Sequence, residues 1–228
     1  MNLTDDGVLL IDKPENWTSF DVVAKLRGAR KAALKSQGVT PTKRQLRVGH
    51  AGTLDPFATG LLIVLVGDAT KRSDEFLKQD KTYEAAITLG ATSSTGDPEG
   101  DISACSDAVP SEAAIREVLM RFVGTITQTP PIFSAVKVGG QRAYKLARKG
   151  QDVEIPSRQV TVYSLELLKY EYPQVSIRTR VSSGTYIRSL AQDIGEALGV
   201  GAYCSSLCRT SIGSLDIADA VSVQEVIN

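Results

Sequence analysis

One histidine and three cysteines are the whole supply of imidazole and thiol metal ligands in this 228-residue chain. His50, Cys105, Cys204 and Cys208 make a poor zinc site, and an odd set of three thiols makes a poor disulfide framework. No metal is expected, and a reducing cytoplasm is the simpler setting. A continuous apolar run of about 18 residues, the minimum for a membrane span, is missing. The opening MNLTDDGVLLIDKP has no basic stretch feeding a long apolar one, so no secretory signal is expected. No GxxxxGK(S/T) occurs, which removes a phosphate-binding loop, and no GxSxG, which removes a nucleophile elbow. Internal repeats and low-complexity linkers are lacking as well.

What the chain does have is enough apolar residue for a core, 42%, with an ordinary 23% of charged residues. Net charge is zero, which at first argues against a nucleic-acid partner, but its layout is uneven. Between Val22 and Leu54 there is no acid and there are eight bases: Lys25, Arg27, Arg30, Lys31, Lys35, Lys43, Arg44 and Arg47. Between Val118 and Gln151 there is again no acid, with Arg121, Lys137, Arg142, Lys145, Arg148 and Lys149. Twelve bases are left to share the rest of the chain with all 26 acids. An acidic body with two basic tracts is the footprint of a protein that grips a polyanion along one face.

Apolar periodicity predicts one α+β domain over residues 1–228. Gly7 to Asp12 reads as a buried strand stopped by Lys13-Pro14, followed by a helix capped at Ser19 or Asp21 and carrying Val22, Val23 and Leu26. Residues 28–47, polar and broken by Gly38 and Pro41, read as a mobile or loosely helical basic insert. Strands are expected at Leu61 to Val66, Thr82 to Leu89, around Val160 and Val162, and at Val175 to Val181. Helices are expected at Asp68 to Gln79, Ser111 to Phe122 and Thr185 to Leu198, with a loop at Ser94 to Asp101. In the last helix Arg188 falls off the apolar stripe, which points it away from the core that Ile187 enters.

The most informative segment is Gly49-His50-Ala51-Gly52-Thr53-Leu54-Asp55-Pro56-Phe57-Ala58-Thr59-Gly60. The proline pushes Asp55 out of the helical region, and the glycines permit turns and close approach of a ligand. Asp55 is thus presented on a stiff loop, a setting that suits a carboxylate used as a nucleophile.

The string GHAGTLDPFATG resembles the catalytic motif GHxGxLDPxATG of the bacterial tRNA pseudouridine synthase B (TruB) family. Ser183-Gly184-Thr185-Tyr186-Ile187-Arg188 resembles that family's arginine-bearing motif, Lys81-Thr82-Tyr83 its K-x-Y motif, and Asp12-Lys13-Pro14 its DKP element. The resemblance runs from Gly7 to about Ser214. It implies the pseudouridine synthase fold, with a mixed, mostly antiparallel sheet flanked by helices and basic RNA-binding loops. It also implies an activity: isomerisation, without cofactor, of the uridine at position 55 of tRNA, in the T-loop, after that nucleotide is flipped out. By the same resemblance Asp55, Tyr83 and Arg188 are catalytic, with the Arg188 guanidinium keeping Asp55 ionised and Tyr83 stacking on the uracil. His50, Lys13, Gly52, Thr53, Tyr186 and Leu207 bind or shape the substrate; His50 fills space left by the extracted nucleotide, and Lys13 is in support.

Residues 126–150, with Phe133, Gly139 and Gly140, resemble the RNA-contacting insertion called the thumb. Arg44, Arg47, Lys137, Arg142, Lys145, Arg148 and Lys149 are the expected RNA-binding bases. The expected partner is the tRNA T-stem-loop, with no membrane, and the expected state is a cytoplasmic monomer. Three departures stand out. The segment after Leu215 is too short for a C-terminal domain of the PUA type, the 28–47 insert is longer than usual, and Phe133 replaces a common tyrosine. The rival readings are a non-catalytic RNA-binding or tRNA-folding protein on the same scaffold and a small-molecule hydrolase using Asp55.

Overall fold

A computed structural model describes residues 3–134, 136–143 and 154–227. Its strands are β1 (Gly7–Lys13), β2 (Val48–Ala51), β3 (Thr59–Val66), β4 (Lys81–Leu89), β5 (Ala91–Ser93), β6 (Ile102–Ala104), β7 (Gly124–Gln128), β8 (Lys137–Val138), β9 (Gln141–Arg142), β10 (Arg158–Glu171), β11 (Gln174–Val181), β12 (Ala202–Ile212), β13 (Leu215–Asp216) and β14 (Val221–Ser222). Its helices are α1 (Ser19–Ser36), α2 (Ser73–Leu77), α3 (Glu112–Arg121), α4 (Ile187–Ala197) and α5 (Val223–Ile227). Among the described residues no helix is long and apolar enough to cross a membrane. The fold is α+β with a mixed, mostly antiparallel sheet, as the apolar periodicity and the family resemblance imply. The chain divides into two compact units, Met1–Tyr83 with Cys208–Asn228, and Glu84–Leu207, so that β4 and β12 have residues in both.

The first unit is built on β3. From Gly60 on, every residue of Thr-Gly-Leu-Leu-Ile-Val-Leu-Val is buried, the pattern of a strand covered on both faces. β1 runs antiparallel along one edge of it, from Gly7 opposite Val66 to Lys13 opposite Gly60. β12 pairs parallel with its start, Arg209 opposite Gly60, and β2 pairs antiparallel with its end, His50 opposite Val64. Leu61, Ile63 and Leu65 pack with Ala51, Ala69 and Ile212 on one side of this layer. Each of the leucine and isoleucine side chains contributes roughly 1.5–3 kcal/mol on full burial.

Helix α1 corrects the expectation for the basic insert. It starts at an N-cap Thr18 with a complete capping box to Asp21, and it continues through Gly28 to Ser36. The reason lies in its inner face: Arg30 and Leu34 are buried on the same side as Val22, Val23 and Leu26. Arg30 donates to the carbonyls of Leu3 (2.8 Å), Asp5 (2.6 Å) and Gln45 and to Asp6 Oδ1 (2.7 Å). The expected helix over 68–79 is broken as well, into a 3₁₀ segment Gly67–Arg72 and the short α2.

In the second unit β11 and β10 form a long antiparallel pair, Val181 opposite Val162 at one end and Gln174 opposite Glu171 at the other. β7 flanks β10, and β4 lies on the other side of β11. Helix α3, capped by Ser111 as its sequence predicts, buries Ile115, Val118 and Leu119 and packs against β10 and α4. Gly139 (φ +57°) and Gly140 (φ +84°) make the two-residue turn of the β8–β9 hairpin, where both positions require positive φ.

Candidate active site

Asp55 sits in the irregular segment between β2 and β3, half-buried. Its loop is fixed by backbone anchors on both sides. Upstream, the Arg209 guanidinium donates from Nη2 to the Gly52 carbonyl (3.0 Å) and from Nη1 to that of Thr53 (3.4 Å). Its Nε donates to the Leu61 carbonyl (2.8 Å), so one side chain ties the loop to the strand that follows it. The Ser19 hydroxyl both accepts from the Leu54 amide (2.8 Å) and donates to the Leu54 carbonyl (3.1 Å). Downstream, the Pro56 carbonyl accepts from Lys13 Nζ (3.2 Å) and from the Asn16 amide (2.8 Å). The Ala58 amide donates to the Asp55 carbonyl (3.1 Å) and closes the turn. Gly52 holds φ +100°, a conformation closed to most side chains.

Two of these anchors are buried cations. Lys13 is fully buried and also donates to the carbonyls of Pro14 (2.8 Å) and Trp17 (2.6 Å). Burial lowers its ammonium pKa to about 8, against the pull of the Asp55 and Glu15 carboxylates, while Arg209 lowers it further. Lys81 behaves alike: burial, then Arg209, bring it to about 8, and its Nζ donates to the carbonyls of Phe76 (3.4 Å), Leu77 (2.7 Å) and Gln79 at the end of α2.

A lysine whose folded pKa lies below its unfolded value destabilises the fold below the lower value, and that penalty is relieved as pH rises through the window. The unfolding free energy should therefore gain a rising component between pH about 8 and 10.5. Urea unfolding of Lys81→Met across that range should show a shallower rise than wild type.

The remaining expected residues of this unit take definite places. His50 is half-buried in β2, Thr53 is exposed, and Tyr83 lies on the buried phase of β4, 8% exposed.

The second unit holds Arg188, Tyr186 and Leu207. Arg188 is not turned away from the core as its place off the apolar stripe suggested: it is 3% exposed. Its Nη1 donates to Asp97 Oδ2 (2.8 Å) and to the Thr95 carbonyl (3.0 Å), and its Nη2 to the Phe133 carbonyl (2.9 Å). Asp97, 2% exposed, is held in turn by the Thr95 hydroxyl (2.5 Å) and the Glu99 amide (3.0 Å). A buried carboxylate on another loop makes the arginine's inward direction favourable. Tyr186 precedes α4. Its amide donates to Gln128 Oε1 (2.7 Å), its carbonyl accepts from Gln128 Nε2 (3.0 Å), and its ring lies 5.1 Å below the Arg158 guanidinium. The Ser189 hydroxyl donates to the Thr129 carbonyl (2.9 Å). The head of α4 is thus tied to residues 128–133, where the thumb-like region begins. Leu207 is 7% exposed in β12.

Asp97, Arg209 and Gln128 carry no site signal in the sequence, and Ser19, expected to cap α1, follows the true N-cap Thr18 and holds the Asp55 loop instead. Asp97 stood in a segment whose glycine, proline and acids read only as a loop. Arg209 had no clean signal: by alternation along β12 it shares a face with Leu207, while the equally buried Cys204 and Ile212 fall on the other phase.

Of the first basic tract, Lys25, Lys31, Lys35, Lys43, Arg44 and Arg47 are exposed, whereas Arg30 is buried and unavailable to a ligand. Arg44 pairs with Asp68 through Nε (3.0 Å) and Nη2. Lys137 and Arg142 fall in the β8–β9 hairpin, and Lys145, Arg148 and Lys149 lie outside the described residues.

The mixed, mostly antiparallel sheet flanked by helices is the fold of a pseudouridine synthase. The chain is similar to the Cbf5 chain in the crystal structure of a Cbf5–Nop10–Gar1 complex, with a TM-score of 0.70 and 33% identity. That match covers 100% of this chain and 55% of the other, so this chain spans about half its length. Residues 40–187 match the model of the TruB family pseudouridylate synthase N-terminal domain, and residues 188–228 that of the tRNA pseudouridylate synthase B C-terminal domain. The chain is 46% identical to the tRNA pseudouridine synthase B of Phocaeicola vulgatus, covering 98% of this chain and 93% of that one. It is 48% identical to that of Parabacteroides distasonis, covering 99% and 94%. The chain belongs to the TruB family of pseudouridylate synthases.

Proposed function

We propose that this protein converts the uridine at position 55 of tRNA, in the T-loop, to pseudouridine. The observation that carries the reading is the Asp55 loop, whose backbone is anchored on both sides while the carboxylate stays half-buried at the surface of a TruB-family chain. In this isomerisation the N1–C1′ bond breaks, the uracil turns in its pocket, and C5 bonds to C1′. The C5 hydrogen leaves as a proton and N1 gains one, so neither redox group nor co-substrate is required. Asp55 is the carboxylate that engages the ring or sugar. Tyr83 stacks on the flipped base, Leu207 and Tyr186 shape its pocket, and His50, Gly52 and Thr53 border the loop it leaves behind. Arg188 acts as a catalytic residue in the same reaction; a double-mutant cycle with Asp55 tests this, with strong non-additivity expected. The protein works as a cytoplasmic monomer with one catalytic domain, and its partner is the T-stem-loop.

Release of tritium from a T-stem-loop carrying C5-tritiated uridine is the test. One equivalent per RNA is expected; binding without release would favour a tRNA-folding protein. Phosphate contacts make affinity fall with salt, roughly by one counterion's slope per contact. Arg47→Gln should weaken binding alike for all RNA sequences and reduce the salt slope by about 1, as read by filter binding over a range of salt concentrations.

A further inference from the structure

The loop that carries Asp55 is short of side-chain ties of its own: Gly52, Pro56 and Gly60 offer none, and Thr53 is exposed. What holds it comes from elsewhere in the chain: Arg209 and Ser19 each give it two bonds, Lys13 and the Asn16 amide one each, and only Arg209 also reaches the strand beyond. Arg209 is 1% exposed and brings a permanent charge into the core. Three of its N–H groups go to carbonyls, two on the near side of Asp55 (Gly52, Thr53) and one beyond it (Leu61). The local fit is close. A Cβ on Gly60 would collide with the Arg209 backbone carbonyl, whereas one on Gly52 would meet Nη1 at an ordinary contact distance of 3.5 Å. The strand pairing of Arg209 with Gly60 fixes the base of this side chain, and the planar fork fixes its tip.

Among the described residues the buried Arg209 guanidinium meets carbonyls and no carboxylate, so its desolvation is not offset by an ion pair and calls for another account. We propose that Arg209 is a positioning residue: it sets the height and direction of the Asp55 carboxylate by clamping the backbone from Gly52 to Leu61. Lys13 performs the matching task at Pro56. This role rests on the reading of Asp55 as the reacting carboxylate. It differs from that of the exposed bases, since a side chain 1% exposed has no access to RNA phosphates. A carboxylate displaced by about 1 Å loses on the order of 10²-fold in rate without any loss of binding.

Arg209→Lys is the variant of choice, because it keeps the charge and the buried stem but cannot reach three carbonyls in two directions. Arg209→Met removes the charge as well. Single-turnover rates at saturating tRNA are expected to fall on the order of 10²-fold in Arg209→Lys and further in Arg209→Met. The tRNA dissociation constant and its salt slope should stay as in wild type. Amide exchange of residues 52–58, measured on the same proteins, should accelerate in both variants. Folded Arg209→Lys with a lowered melting temperature but a rate within about threefold of wild type would make the residue merely structural. A loss confined to affinity would make it an RNA contact, and unchanged amide exchange would remove the clamp. Wild type that isomerises no uridine would refute the reading of Asp55, and the exchange measurement would still decide whether Arg209 holds the loop.

Discussion

Asp55→Asn is expected to abolish turnover, by about 10³-fold or more, while the protein folds and binds tRNA as before. The amide is nearly isosteric with the carboxylate but cannot add to carbon or accept the proton that the reaction moves. Folding should survive because the anchors of this loop act on backbone carbonyls and amides from Gly52 to Pro56. Binding should not weaken, since removing a negative charge beside a polyanion cannot repel it. Stopped single-turnover assays with filter binding separate the two quantities. A variant that retained a tenth of the wild-type rate would exclude Asp55 as the reacting group.

The second large effect is expected at Asp97. Its carboxylate and the Arg188 guanidinium form an ion pair in which both side chains are only 4% exposed. Truncation to Ala removes a buried carboxylate partner from a buried arginine, at a cost of up to about 3–5 kcal/mol. It also takes away the acceptor for the Thr95 hydroxyl and the Glu99 amide, so the turn between β5 and β6 should loosen. Urea unfolding measures the loss, and a change below about 1 kcal/mol would show the pair to be solvated. Because Arg188 also donates to the Phe133 carbonyl, its displacement should reach the base of the thumb-like region, and turnover of Asp97→Ala should fall even where the protein remains folded.

The sequence was most readable where one short-range rule decides the outcome. The continuous apolar run of β3, the strict alternation of β11 and the Ser111 cap of α3 are all where periodicity and capping place them. Asp55 on an irregular, glycine-framed loop followed from its neighbours Gly52 and Pro56 alone. The failures share a physical cause, polar groups whose partners are distant in the chain. Arg30 looked like one more solvated base, yet it holds Leu3, Asp5, Asp6 and Gln45, and thereby carries α1 through a stretch that composition reads as irregular. Arg188 was turned inward by Asp97, 91 residues away, and Arg209 by carbonyls some 150 residues away. No local pattern announces such pairings; only the fold brings them together.

Position-resolved pseudouridine mapping of an unmodified tRNA transcript, after incubation with wild type and with Asp55→Asn, tests the central claim most directly. One new pseudouridine in the T-loop at position 55, formed by wild type and absent with the variant, is the predicted result. A transcript that binds tightly and stays unmodified, or one modified equally by both proteins, would contradict it.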